Sequence, residues 1–210
     1  MKKKVEKEKV DKYNPDVLYN FWFGIMEETP EYLTARHSKW FEKNKEYDLL
    51  VRDMFLDFLT ALEDGRLEYW KETPRGLLCY VILCDQIPRN AFRDTTRAFQ
   101  YDKMAETISL NMCDTGTDTT YCPIERIFLY LPLEHSEDPS LQLRSVDRFQ
   151  QLREDAPENL KDAFQETYDF AKRHYDTIHK FHRFPHRNKV LQRNPSEEEV
   201  EFLEDPKNNF

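Results

Sequence analysis

The 210-residue chain predicts an all-α fold, and three observations carry that prediction. Apolar residues recur at i, i+3, i+4 spacing along most of the length. Strict alternation over a strand's length is hard to find. With 4 Gly against 11 Pro, proline is the main punctuation, and several prolines follow a capping side chain, as at a helix start.

Taken in order, Asn14-Pro15 opens a helix over 15–26. The Asn side chain can accept from a first-turn amide, and proline at the first position needs no amide hydrogen and already has helical φ. Thr29-Pro30 opens a helix over 30–44 by the same logic. Tyr47, Leu50, Val51, Met54, Phe55, Phe58 and Leu62 form the stripe of a helix over 46–63. Thr73-Pro74 opens 74–87, and Pro88 is expected to end or kink it near Ile87, because proline donates no hydrogen bond and disfavours α geometry before it. Tyr101, Met104, Ala105, Ile108 and Met112 mark 98–112. Cys122-Pro123 opens 123–131, which Pro132 is expected to stop. A helix over 140–153 precedes a long one over 157–182, with Leu160, Phe164, Tyr168, Ala171, Tyr175 and Ile178 on its apolar face. Ser196 and Glu199 form a capping box ahead of a last helix, 196–204. Short connections predict antiparallel neighbours, hence stacked helical hairpins in one domain over 15–204, between a charged tail, 1–14, and a short tail, 205–210.

Composition narrows the function classes. Aromatics reach 14%, enough for a sizeable core despite a charged fraction of 34%. The formal net charge of -9 disfavours general nucleic-acid binding, since a phosphate backbone attracts a basic face. No run approaches the ~18 apolar residues of a membrane span. The opening MKKKVEKEKV lacks the apolar segment of a secretory signal, so a cytoplasmic protein is expected. Cys79, Cys84, Cys113 and Cys122 form no CxxC pair and are expected as reduced thiols, with no metal and no cofactor.

Three polar clusters begin where prolines are expected to stop helices. The first, CDQIPRNAFR at 84–93, carries Asp85, Gln86, Arg89, Asn90 and Arg93. The second, LPLEHSE at 131–137, carries His135 and Glu137, with Arg126 upstream and Gln142 on the apolar stripe of the next helix. The third, FHRFPHRNKVLQR at 181–193, carries Arg183, His186, Arg187, Asn188 and Arg193 and no acid. If consecutive helices alternate direction, 74–87, 123–131 and 157–182 run the same way and their C-terminal ends can meet. Each arginine or histidine alone could simply serve a helix C-terminus or tie a carboxylate. As a set, forked donors with few acids nearby suit a phosphate or carboxylate. His135 or His186 could act as general acid or base, and Glu137 or Asp85 could orient a histidine or, desolvated, act as base. A metal held by His135, Glu137 and His186 is disfavoured by the neighbouring arginines. His37, His174 and His179 read as satisfied or exposed histidines, and Trp22, Trp40 and Trp70 as core aromatics.

FWFG at 21–24, Trp40-Phe41, DQIPRNAFR at 85–93, Phe99 and Asp102, YLPLEHSE at 130–137 and RFPHRN at 183–188 together resemble the bacterial domain-of-unknown-function family 924. The resemblance spans roughly residues 15–204. It implies an all-helical, tetratricopeptide-like fold and no established reaction. The family's characteristic polar positions fall here on Asp85, Gln86, Arg89, Asn90, Arg93, His135, Ser136, Glu137, Gln142, His186, Arg187, Asn188 and Arg193. The chain departs from the family's usual Gly at His182, and from its usual LGR with LQR at 191–193. Glycine often marks a left-handed or closely approached backbone, so the loop shape is expected to be affected at both places.

The sequence therefore leads to a pocket for a small anionic ligand, with hydrolase or transferase chemistry open to it. Its rival is a non-catalytic scaffold that holds acidic or carboxylate-ended peptides in a groove. Single-stranded RNA binding, suggested by the Arg-aromatic interleaving of FHRFPHR, is disfavoured by the acidic balance.

Overall fold

The structure is a computed structural model that describes residues 12–208 and 210. Most of the expected N-terminal tail lies outside the described residues. Among these residues there are nine α-helices and no strand. They are α1 (Pro15–Phe23), α2 (Pro30–Phe41), α3 (Lys45–Glu63), α4 (Pro74–Ala91), α5 (Asp102–Thr115), α6 (Pro123–Glu134), α7 (Pro139–Asp155), α8 (Lys161–Phe181) and α9 (Glu197–Phe202). Short 3₁₀ turns lead into or link several of them, including Thr96–Phe99 before α5 and Pro185–Arg187 after α8.

The capping signals act as the sequence reads them. Asn14 accepts from the Asp16 amide, Thr29 from Tyr32 and Thr73 from Gly76, each beside a proline in the first turn. Ser196 and Glu199 close a reciprocal capping box. The long helix expected from 157 starts later: Pro157 leads into a 3₁₀ turn, Glu158–Leu160, and α8 starts at Lys161.

Two stop signals are corrected. Pro88 does not end α4, which runs on to Ala91, and Pro132 does not end α6, which runs on to Glu134. A proline so near a helix C-terminus removes one intrahelical bond but leaves the next turn's amides free to pair, so the helix continues past it. Phe92 N bonds to Pro88 O at 2.9 Å, and His135 N to Leu131 O at 2.8 Å. Asp85, Gln86, Arg89 and Asn90 consequently lie on one helix, where Asp85 and Arg89 are i, i+4 neighbours.

Consecutive helices pack on one another from α3 to α8, with α7 against α8 the most extensive pairing and α4 in contact with α1, α3, α5 and α6. The core is strongly aromatic. Phe128 on α6 meets Trp22, Phe23 and Trp40 edge-on, at 5.6, 5.4 and 5.0 Å between ring centroids. Trp40 Nε1 donates to the Trp22 carbonyl at 3.1 Å, which ties α2 to the end of α1. Trp22 and Trp70 are fully buried and Trp40 nearly so, in keeping with their reading as core residues. All four cysteines are free thiols, three of them buried.

Candidate functional site

The site is built from the last turns of α4 and α6, the last third of α8 and the loop that follows it. Asp85, on α4, is 1% exposed. One oxygen of its carboxylate lies 2.8 Å from His135 Nδ1 and 3.0 Å from Arg89 Nη1, and the other accepts from the Gln86 amide. Arg89 extends the chain of charges to Asp102, in the first turn of α5, through two bonds of 2.8 and 3.0 Å. A bidentate pair of this kind fixes the guanidinium in plane as well as in place.

His135 caps the C-terminus of α6. The turn around it is held by Gln142 of α7, whose amide nitrogen donates to the carbonyls of Glu134 and, at 2.6 Å, Ser136. This explains the amide on an apolar stripe: it satisfies carbonyls that the end of α6 leaves free. Glu134 is 4% exposed and meets His174 of α8, with 3.3 Å between carboxylate oxygen and Nδ1. His174 Nδ1 also lies 2.9 Å from the Phe170 carbonyl, to which it donates. The His135 and His174 rings are 6.3 Å apart.

After α8 the chain turns sharply at His182, which is left-handed at φ 57°. The Phe184 amide then donates to Glu137 at 2.8 Å, and Arg193 forks onto the same carboxylate at 2.8 and 3.0 Å. This clasp presents the Pro185–Arg187 turn to the other two clusters. The Arg187 guanidinium sits over the Phe184 and Phe99 rings, 4.4 and 4.8 Å from their centroids. Arg187 is 7% exposed, and its Nε has no hydrogen-bond partner among the described residues. The buried Nδ1 of His186 is likewise unpartnered among them.

The surroundings set the charges. Burial alone would raise the Asp85 carboxyl, but Arg89 and His135 hold it well below the usual carboxylate range. Burial and Arg89 lower His135, against the pull of Asp85. A neutral His135 therefore donates from Nδ1 to Asp85 and leaves Nε2 as an acceptor, the tautomer a general base requires. Burial pushes Glu134 up to about 8, with the charge of Asp85 adding to the effect, so it carries a proton at neutral pH. His174 is lowered by burial, and His186 is lowered to about 3 by burial and then Arg187. Burial, then Arg89, brings Arg187 down to about 10, which leaves it a cation at neutral pH. The two carboxyls thus stand in opposite protonation states a few ångströms from two neutral histidines, an arrangement that can both take up and give a proton.

The structure brings Asp85, Arg89, His135, His186 and Arg187 together, from all three clusters. It commits Asn90, Arg93, Arg126, Glu137, Gln142, Arg183 and Arg193 to internal ties. Asn90 and Arg93 both bind Asp48 of α3, at 2.9 Å and at 2.6 and 2.8 Å. Arg183 forks onto Glu199, with bonds of 2.6 and 2.7 Å. With the Ser196 amide and Asn188 it holds that carboxyl at about 2. Arg193 and Glu137 neutralise each other, so Glu137 is an anchor for the third loop, not a free base. Gln142 is a helix clamp. Arg126 lies two turns before the end of α6, where it bonds Tyr130 at 3.0 Å and Asp155 at 3.3 Å, away from the cluster.

Glu134 and His174 belong to the cluster as well, although neither stands out in the sequence as a site residue. Glu134 fell beyond the expected end of α6 at Pro132. His174 carried a signal: it lies three residues after Ala171 and four before Ile178, a polar side chain on a buried apolar face. Among the described residues no group of three or more His, Cys, Asp or Glu side chains is placed to hold a metal ion. None of their helices is long and apolar enough to cross a membrane.

Fold and site together define an all-helical protein with a buried histidine–arginine–carboxylate cluster at the C-terminal ends of α4 and α6. The chain belongs to the family described as bacterial protein of unknown function (DUF924), which matches it over residues 18–207. A solved structure of a protein of unknown function from Agrobacterium tumefaciens is similar at 30% identity and a TM-score of 0.75, over 91% of this chain and 97% of that one. No curated protein matches the chain.

Proposed function

We propose that the protein binds a small anion, bearing phosphate or carboxylate, at the junction of the three clusters. The observation that carries this reading is Arg187. A guanidinium in an apolar setting is costly to bury without a counter-charge. Every other arginine of the cluster has a carboxylate within ion-pair distance, whereas among the described residues Arg187 has none and lies against two phenyl faces. An arriving anion supplies the missing charge. Asp85 and His135 add acid–base capacity beside it, which makes hydrolysis or group transfer the chemistry to look for.

The rival, a non-catalytic tetratricopeptide-like scaffold for acidic peptides, has less support. A peptide groove asks for free cations spread along an open surface, whereas Arg187 is buried and Arg93, Arg183 and Arg193 are each held by a carboxylate.

Calorimetric titration with inorganic phosphate and with citrate tests the proposal. Binding that Arg187→Ala reduces at least about tenfold, in a protein that keeps its helical spectrum, supports it. Binding unaffected by Arg187→Ala, or affinity for an acidic peptide alone, would overturn it.

A further inference from the structure

Beyond α9 the chain makes a 3₁₀ turn, Pro206–Asn208, pinned by the Asn208 side-chain Nδ2 donating to the Phe202 carbonyl at 2.7 Å. That turn delivers Phe210 to the cluster. The Phe210 ring lies 4.0 Å from the His174 ring at an interplanar angle of 31°, nearly stacked. It meets His186 at 5.7 Å and 76°, and Phe184 at 6.2 Å and 74°, both edge to face. Three rings from two parts of the chain thus form walls around one phenyl group. Phe184 is fully buried and also underlies the Arg187 guanidinium, so the aromatic slot and that cation share a wall.

We infer that the cluster takes an anion carrying an aromatic ring, and that Phe210 is its intramolecular competitor. This rests on the anion-binding reading above and names the ligand class for the same site. The ring of such a ligand fits the slot by the stacked and edge-on contacts that Phe210 makes, while its charged group reaches Arg187. A tethered phenyl that occupies the slot lowers the apparent affinity of an aryl ligand by the fraction of time it is seated. An alkyl anion that uses Arg187 alone does not compete with it.

Titration calorimetry on the full chain and on Phe210→Ala separates these terms. The probes are phenyl phosphate and benzoate, each against its alkyl counterpart, methyl phosphate and acetate. Expected are a preference of the wild type for the aryl member of at least one pair and, in Phe210→Ala, a further gain of about tenfold for that member with its alkyl counterpart unchanged. Equal affinity for aryl and alkyl members in the wild type overturns the inference and leaves the anion reading standing. So does an aryl affinity that Phe210→Ala leaves unmoved. Absence of binding by all four probes overturns both. The wild-type comparison decides the aryl preference even if Phe210→Ala fails to fold.

Discussion

Asp85 and His135, 50 residues apart in the chain, meet through a 2.8 Å contact between carboxylate oxygen and Nδ1 at the junction of α4 and α6. The pair fixes which nitrogen of the imidazole carries the proton. Asp85→Asn keeps the shape but removes the charge that Arg89 and His135 both face. Stability is expected to fall by about 3–5 kcal/mol, as when one half of a buried pair is lost. The sign with pH follows from the lowered Asp85 carboxyl. Its contribution is present above the unfolded value of about 3.9 and lost as pH falls through the folded value. Denaturant melts at pH 7 give the size of the loss, and nitrogen-15 spectra of His135 read the tautomer. An unchanged Nδ1-protonated signal in Asp85→Asn would show that the carboxylate does not set it.

Glu134 and the histidines pull stability in opposite directions with pH. Glu134, pushed up to about 8, holds a proton in the folded state that the unfolded chain releases near pH 4.3. Its contribution is complete below about 4.3 and drains away as pH rises to 8, by about 1.4 kcal/mol per unit. Glu134→Gln should therefore gain on the wild type between pH 5 and 8, by roughly 2–4 kcal/mol in denaturant melts. A difference that stays flat over that range would mean that Glu134 is already ionised when folded. His186, lowered to about 3, acts on the acid side: its stability is lost as pH falls from about 6.5 toward 3. His186→Gln should make the acid limb shallower.

His182 and Gln192 test backbone strain at exposed positions. Both are exposed, at φ 57° and 53°, in the left-handed region where a Cβ is unfavourable. The loop keeps the left-handed turns that glycine would adopt and bears the strain instead. His182→Gly and Gln192→Gly are each expected to stabilise the protein by about 1 kcal/mol, visible as a higher melting temperature. A loss of stability from either would indicate that its side chain makes contacts that outweigh the strain.

Arg187 and Arg193 should respond oppositely to methionine. Arg193→Met strands the half-buried Glu137 and frees the third loop, costing about 2–4 kcal/mol. Arg187→Met removes a buried cation that has no carboxylate within ion-pair distance among the described residues, and keeps apolar contact with Phe99 and Phe184. The unliganded protein should hold its melting temperature or exceed it. Thermal melts of the two variants side by side check the contrast. Equal destabilisation would place Arg187 among the structural ties.

Local signals located the starts of α1, α2, α4 and α9, because a cap and a first-turn proline or capping box act within four residues. They misjudged helix ends: a proline's missing amide matters only for one bond, and tertiary packing carried α4 and α6 a turn further. The meeting of the three clusters was legible from alternating helix direction. Which arginines were free was not. Asp48, Asp102 and Glu199 lie on other elements, and only the folded chain shows that they claim Arg93, Arg89 and Arg183. Glu134 and His174 lay hidden for the related reason that an acid at a helix end and a histidine on an apolar face both have ordinary structural uses.

The Asp48 clasp has a consequence for related sequences. One aspartate on α3 answers to both Asn90 and Arg93 on α4 and in the turn after it, so loss of Asp48 leaves a buried amide and a part-buried guanidinium without their acceptor. The three letters should consequently drift together: a relative that changes Asp48 is expected to have changed the other two as well, and pairwise counts over an alignment would reveal them as one inherited unit.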